Sequence, residues 1–373
     1  MLQFLTFWTI SLSHFKCKTM KKVIIFQLLT CILFLGACQE QTQELPQPAA
    51  SLLPILPAHF PPMPQPAHNP MTVEGIKLGR MLFYDKSLSR DGSLSCASCH
   101  QQQKMFADGI ALSAIGLSKR ELRRNSPTLL NTAWVKDLFW DGGATNLESL
   151  SVAPLTAIDE MHKDLVIMEK ELAANPVYKA QFAKAFPTLP KVSTQNVLKA
   201  LAQFQRTLVS FNSKYDLYIQ KKALLTVSEL EGLQLVEQKC TPCHSTTLFT
   251  DNDFHNNGLD DDAAFTTDHE SITKGRGRVT FNEDDNGKYR TPSLRNVMLT
   301  APYMHDGRFA TIDQVLNHYT DNVKISSTLS PKLKQANGSK GIVLSLKEKQ
   351  AIISFLHTLT DVSVLTNPNF SKP

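Results

Sequence analysis

Strand patterns are scarce along the 373 residues, and the alternating stretches that would build a sandwich or a barrel do not stand out. The fold class that remains is mainly α. Long apolar runs are lacking as well. The marked one, Val23 to Leu35, falls short of the about 20 residues that a transmembrane helix needs. An excess of one charge sign is also missing. The formal net charge is +5, but Lys16, Lys18, Lys21 and Lys22 stand in residues 1–37 without an acid, which leaves the remainder near +1. That is no footprint for a nucleic acid. Finally, no thiol is left over for a disulfide. Cys17 and Cys31 lie in the first segment, Cys38 closes it, and the other four cysteines fall into two motifs.

Those motifs are Cys96-Ala97-Ser98-Cys99-His100 and Cys240-Thr241-Pro242-Cys243-His244. Each reads C-x-x-C-H, the attachment signature of a c-type haem. Thiols at i and i+3 face the same way on a helical turn, so both can form thioethers with haem vinyl groups. The His that follows is then carried under the iron as its proximal ligand. A dithiol redox pair or a zinc site also uses C-x-x-C. Zinc ribbons space their pairs by roughly 15–20 residues, whereas these lie far apart and each carries the His. Two covalently bound haem c groups are expected.

Lys21-Lys22, the apolar run and the small residues of Leu35-Gly36-Ala37-Cys38 mark residues 1–37 as a secretory signal. Cys38 at the cleavage point resembles the lipobox of bacterial lipoproteins. Met20 opens the charged region, so Met1–Thr19 reads as an upstream start-codon artefact. The mature chain then begins at a lipidated Cys38, anchored in the bacterial periplasm at the outer membrane. Residues 38–70, rich in Pro, Gln and Ala, read as an extended tether and not as a packed element. Export fits c-type haem, which is attached outside the cytoplasm.

Two domains are expected beyond the tether, 71–222 and 223–373. In the first, Val73, Ile76, Leu78 and Leu82 mark a short helix, and Ala157–Ala174 reads as helical. The strongest helix is expected over Thr194–Ile219, where Val197, Leu201, Phe204, Leu208 and Phe211 form one stripe for packing between domains. In the second, Thr226-x-x-Glu229 is a capping box for a helix through Leu230, Leu233 and Val236 that delivers Cys240. Ser345-x-x-Glu348 caps another through Ile352, Phe355, Leu356 and Leu359. Asn282-x-Asp284-x-Asn286-Gly287 opens like a calcium loop, but Ser293 stands where the bidentate Glu belongs, so it reads as a solvated loop.

Several strings go beyond composition. They are Gly79-Arg80-Met81-Leu82-Phe83, Leu94-Ser95-Cys96, Asn125-Ser126-Pro127-Thr128-Leu129-Leu130-Asn131 and Phe139-Trp140-Asp141-Gly142. Thr291-Pro292-Ser293-Leu294-Arg295-Asn296-Val297 and Ala301-Pro302-Tyr303-Met304-His305-Asp306-Gly307 join them. Together they resemble the bacterial dihaem cytochrome c peroxidase family, over roughly Thr72 to Asp361. That family includes the MauG-type enzymes, which oxidise protein side chains. The resemblance implies two cytochrome c-like domains, each around one covalent haem, with long connecting loops. It implies His100 as proximal ligand of the peroxidatic haem and His244 as that of the electron-transfer haem. Trp140 would bridge the haems, and Glu160 would be the distal acid–base residue. Asn125, with the carbonyls of Thr300 and Pro302, matches the family's calcium site. Family members are often homodimers.

Two departures from the family pattern bear on reactivity. Typical members place a His in the loop after the first haem motif, blocking the first iron until the other haem is reduced. Here that position is Leu117, and no His lies between His100 and Glu160. The first haem is therefore expected to need no reductive activation, with Met105 and Met161 as remaining sulfur candidates. Typical members also put a Met fourteen residues after the His of the Tyr-x-His-Asp-Gly string. Counting from His305 gives Tyr319, as in MauG-type members. A phenolate ligand favours ferric iron. His318, Met298 and Met304 compete with Tyr319, whereas His255, His269 and His357 have no motif support.

The reaction that follows from the resemblance is reduction of hydrogen peroxide to water, with electrons from a small cytochrome c or cupredoxin. Glu160 would move the proton and Trp140 would carry charge between haems. MauG-like oxidation of a partner protein uses the same parts, and Tyr319 points that way. A non-enzymatic electron carrier or redox sensor would instead need a sixth protein ligand on both irons.

Overall fold

The computed structural model describes residues 52–265 and 272–373. The signal segment, Cys38, the first part of the tether and His269 lie outside the described residues. Among the described residues, no helix is long and apolar enough to cross a membrane. The longer helices are α1 (Val73–Tyr84), α2 (Leu165–Ala174), α3 (Pro176–Ala185), α4 (Thr194–Thr207), α5 (Lys214–Ile219), α6 (Val227–Lys239), α7 (Ile312–Asn317) and α8 (Leu346–Thr358). Among the described residues, sheet is confined to β1 (Phe254–His255) and β2 (Tyr289–Arg290), paired antiparallel with Phe254 opposite Arg290. The mainly helical expectation is met, with long loops between helices.

Two helix pairs organise the molecule. In the first half α1 packs on α4, and a Cβ on Gly79 would stand 1.9 Å from the Ala200 carbonyl oxygen. In the second half α6 packs on α8, and a Cβ on Gly232 would stand 2.0 Å from the Ala351 carbonyl oxygen. Both glycines are fixed by this close approach of backbones, not by helix propensity, which disfavours them. The α1–α4 pair seals a core containing Leu82, Phe83, Phe106, Phe182 and Phe204. The α6–α8 pair seals a second, with Val236, Phe249, Ile352 and Phe355.

The expected boundary at 222/223 is crossed in both directions. Tyr215 and Tyr218 pack into the second core, while Val364 and Phe370, near the carboxyl end, are buried in the first. The expected helix Thr194–Ile219 is two helices. After Leu208 the chain extends, because Ser210 N donates to Asn131 Oδ1, and Phe211 N and Asn212 N donate to Asp361 Oδ2. Ser213 then opens α5 in a capping box with Asp216. Val197, Leu201, Phe204 and Leu208 are buried as expected, but in the first core and not between domains. Ala157–Ala174 is likewise a turn followed by a helix: Asp164 caps α2 through Val166 N and Ile167 N.

The tether is corrected too. Among residues 52–69, Phe60 is buried beside Trp134, with Leu56 and Met63 packed against the same cluster. The Trp134 indole donates to the Pro61 and Pro62 carbonyls, His59 reaches Asp216 at 3.0 Å, and Asn69 donates to Glu148 at 2.7 Å. Proline-rich composition hid apolar residues spaced to lie on one cluster. Asn282–Asn286 is a surface turn in which Asp285 pairs with Lys288 at 3.1 Å.

Candidate functional site

Each C-x-x-C-H motif ends a short helical path and opens into its own cavity. In the first half Cys96–Cys99 form one helical turn, and Ser98 accepts from the Ser95 N–H at 3.0 Å. His100 follows, with its N–H on the Cys96 carbonyl at 2.9 Å. Its Nδ1 donates to the Phe106 carbonyl at 2.9 Å, which leaves Nε2 as the bare, basic nitrogen. In the second half α6 delivers Cys240, and His244 Nδ1 donates to the Phe249 carbonyl at 3.1 Å. Phe106 and Phe249 share positive φ, 58° and 53°, and so turn the same carbonyl back on the imidazole. Burial pushes both imidazoles below the ordinary histidine value, toward the neutral, ligating form.

The first cavity is about 480 Å³ and is lined by Cys96, Cys99, His100, Met161 and Glu160. Burial, with Asp159 as a smaller cause, raises the Glu160 carboxyl to about 6. Leu117 N donates to the Glu160 carbonyl at 2.9 Å, tying the loop after the haem motif to the Glu160 turn. Gly116 lets that loop sit down, since a Cβ there would meet the Asp159 carbonyl at 1.7 Å. Met105 is fully buried in the first core and is not a wall residue, whereas Met161 is.

The second cavity is about 230 Å³ and holds Cys240, Cys243, His244, Tyr319 and Met304 in its wall. A π-turn over His318–Asn322 follows α7, and the extra residue it accommodates brings Tyr319 inward. His318 is turned to the Asn257 carbonyl at 3.0 Å, and Met298 packs in the second core. Neither lines the cavity. Asn257 donates to the Met304 sulfur at 3.5 Å. Burial pushes the Tyr319 phenol up to about 12. His255 pairs with Asp251 at 2.8 Å.

One wall is common to the cavities. Trp140, Asn125 and Arg290 line both. The Trp140 indole donates to the Asn125 carbonyl at 2.9 Å, and Asn125 N donates to the His305 carbonyl at 2.8 Å. Thr300 and Pro302 line the second cavity together with Asn125. The structure thus brings Asn125, Trp140, Thr300 and Pro302 to one region, and separates Glu160 from Tyr319 into different chambers.

Sequence reasoning missed Arg290 and the duplication around it. The signal was present: Ser126-Pro127-Thr128-Leu129-Leu130-Asn131 runs parallel to Thr291-Pro292-Ser293-Leu294-Arg295-Asn296, and Trp140-Asp141-Gly142 to His305-Asp306-Gly307. Asn131 and Asn296 even share φ of 59°.

A family described as di-haem cytochrome c peroxidase matches residues 73–224. The methylamine utilization protein MauG of Methylorubrum extorquens is 35% identical over 302 residues, covering 80% of this chain and 81% of its own. The chain belongs to the di-haem cytochrome c peroxidase family. Within that peroxidase family, cytochrome-c peroxidase IdrP1 of a Pseudomonas species is 34% identical over 331 residues, covering 81% of this chain and 85% of its own. The crystal structure of a MauG-like protein associated with microbial copper homeostasis matches with a TM-score of 0.78 at 36% identity, over 85% of this chain and 98% of that one.

The residues of this di-haem peroxidase relative fit two haem c groups. All four motif thiols are free, and the two pairs line different cavities, which rules out one shared four-thiolate zinc site. Each cavity also presents one imidazole whose Nδ1 is already taken by a carbonyl, the arrangement that orients a ligating His.

Proposed function

We propose that the protein reduces hydrogen peroxide to water, with electrons from a small cytochrome c or cupredoxin. The observation that carries this reading is Glu160, a part-buried carboxyl that desolvation raises to about 6, facing the same cavity as His100. A haem bound there supplies the redox-active iron and the electrons that cleave the O–O bond. His100 would hold that group, its imidazole fixed by the Phe106 carbonyl. The Glu160 carboxylate takes a proton from one peroxide oxygen and returns it to the other, which leaves as water. Two electrons and two further protons complete the conversion to a second water. Trp140, in the wall of both cavities, is the route between them. Leu117, where a blocking His would stand, cannot ligate, so activity needs no prereduction. The test is peroxide consumption by purified holoprotein supplied with a donor, in wild type and Glu160→Gln. Full activity in the variant would remove Glu160 from the mechanism.

A second reading, MauG-like oxidation of side chains on a partner protein, is favoured by Tyr319 in the second cavity and by the likeness to MauG. Incubation with peroxide and candidate proteins, followed by mass spectrometry for modified Trp or Tyr, separates it from the first. A closed electron carrier is separated from both by the ferric spectrum, which would then lack a high-spin haem. We assign calcium to Asn125 and the carbonyls of Thr300 and Pro302, with EGTA treatment as the check. Anchoring in the periplasm through lipidated Cys38 follows from the signal and the lipobox-like string. Loss of membrane retention in Cys38→Ser would verify it, and sedimentation tests the homodimer.

A further inference from the structure

Arg290 ends β2 and lies in the wall of both cavities. Only 9% of it is exposed. Its Nε donates to the Phe139 carbonyl at 3.2 Å and its Nη1 lies 3.4 Å from the Thr291 carbonyl. No acidic side chain balances it among the described residues, and burial alone perturbs it, drawing the guanidinium down to about 10. The other deeply buried arginines are treated differently: Arg206 pairs with Glu148 at 2.7 Å, and Arg295 with Asp216 at 2.8 Å. A buried cation without a counter-charge is strongly disfavoured, and a guanidinium stays protonated at neutral pH. Its planar fork matches carboxylates. The anions that haem chemistry brings to these cavities are the propionate carboxylates.

We propose that the Arg290 guanidinium is a shared carboxylate site, receiving a haem propionate from each cavity, and that this single charge ties the potentials of the two haems together. The proposal rests on the reading that both cavities hold haem. A cation beside the propionates favours the reduced iron and holds the carboxylates ionised. Arg290 also donates its backbone N–H to the Trp140 carbonyl at 2.8 Å. That bond uses the main chain and survives replacement of the side chain, so a purely anchoring role and a charge-bearing role can be told apart.

The experiment is a spectroelectrochemical titration of holoprotein, wild type against Arg290→Gln and Arg290→Lys, after intact mass has counted the covalent haems. A wild type without two haems sinks the underlying reading before any variant is needed. With two haems present, Arg290→Gln is expected to lower both midpoint potentials and make both fall more steeply with rising pH. Arg290→Lys, which keeps the charge but loses the fork, should give smaller shifts of the same sign. Potentials unmoved in Arg290→Gln, or a shift in one haem alone, would overturn the shared site. Should Arg290→Gln not accumulate with haem, resonance Raman of Arg290→Lys decides. Displaced propionate-bending bands in both haems support the proposal, and an unmoved band in either overturns it.

Discussion

The first half holds His100 on the Phe106 carbonyl, and the second holds His244 on the Phe249 carbonyl. Gly79 lets α1 onto α4 as Gly232 lets α6 onto α8. Trp140 stands in one copy of a turn where His305 stands in the other. Against that shared frame the opposite walls diverge. The first cavity is faced by a titratable carboxyl, Glu160, and the second by a phenol, Tyr319. A frame used twice gives both C-x-x-C-H motifs the same support, and the few residues outside the repeat are where the two cavities differ.

The sharpest way to break this comparison is Glu160→Gln. Loss of general acid–base assistance costs typically 10²–10⁴-fold, so peroxide turnover should fall by about that factor while the spectrum of the second haem stays unchanged. Turnover of the wild type should also decline as pH drops through about 6, where Glu160 gains its proton. A flat pH–rate profile across that range would argue against the carboxylate as base.

A difference of structure comes next. Arg295 of the second half pairs with Asp216, while its counterpart in the first half is Leu130. Both side chains of the pair are buried, and Arg295 reaches Asp216 through two bonds of 2.9 and 2.8 Å. Breaking one partner of such a pair costs about 3–5 kcal/mol, the loss expected for Asp216→Asn in denaturant unfolding. The Asp216 carboxyl is held down to about 2 from an ordinary 3.8. Its contribution is therefore complete above 3.8 and lost as pH falls through about 2.

The two glycines test how alike the frames are. Gly79→Ala and Gly232→Ala each force a methyl into a backbone carbonyl, and overpacking of this kind costs about 1–3 kcal/mol. Equal losses, measured by thermal unfolding, would show two equivalent helix pairs. A loss confined to one would show that the halves are not supported alike.

The smallest effect concerns Glu160 again, through stability. Its carboxyl is raised to about 6 from an ordinary 4.5, so the folded state binds the proton more tightly than the unfolded one. That contribution is complete below about 4.5 and vanishes as pH rises through about 6. At pH 7 Glu160→Gln should therefore stabilise the fold, by at most about 2 kcal/mol, while removing activity. A destabilised variant would contradict burial as the cause of the raised value.

Much of the frame was legible in the chain. The capping boxes at Thr226 and Ser345 are present as read, and the buried faces they start are in place. The haem motifs need only local spacing, so they were legible too. What was not legible depends on distant partners. The break after Leu208 is set by Asn131 and Asp361, and the packing of residues 52–69 by Trp134 and Asp216. Asn257, which holds His318 and Met304 in place, sits sixty-one residues before one and forty-seven before the other. Tyr319 could be counted to, but its inward turn is a property of the π-turn that follows α7.

The carboxyl-terminal segment returns to the first half. Arg80 holds the carbonyls of Pro368 and Ser371, both at 2.6 Å, Tyr84 holds that of Phe370, and Gln102, two residues beyond His100, holds those of Val364 and Asn367. An earlier stretch of the chain thus waits for residues more than 260 positions later before its own interior closes. Prising residues 364–371 away would wound the distant cavity of His100 and Glu160, and leave that of His244 comparatively intact.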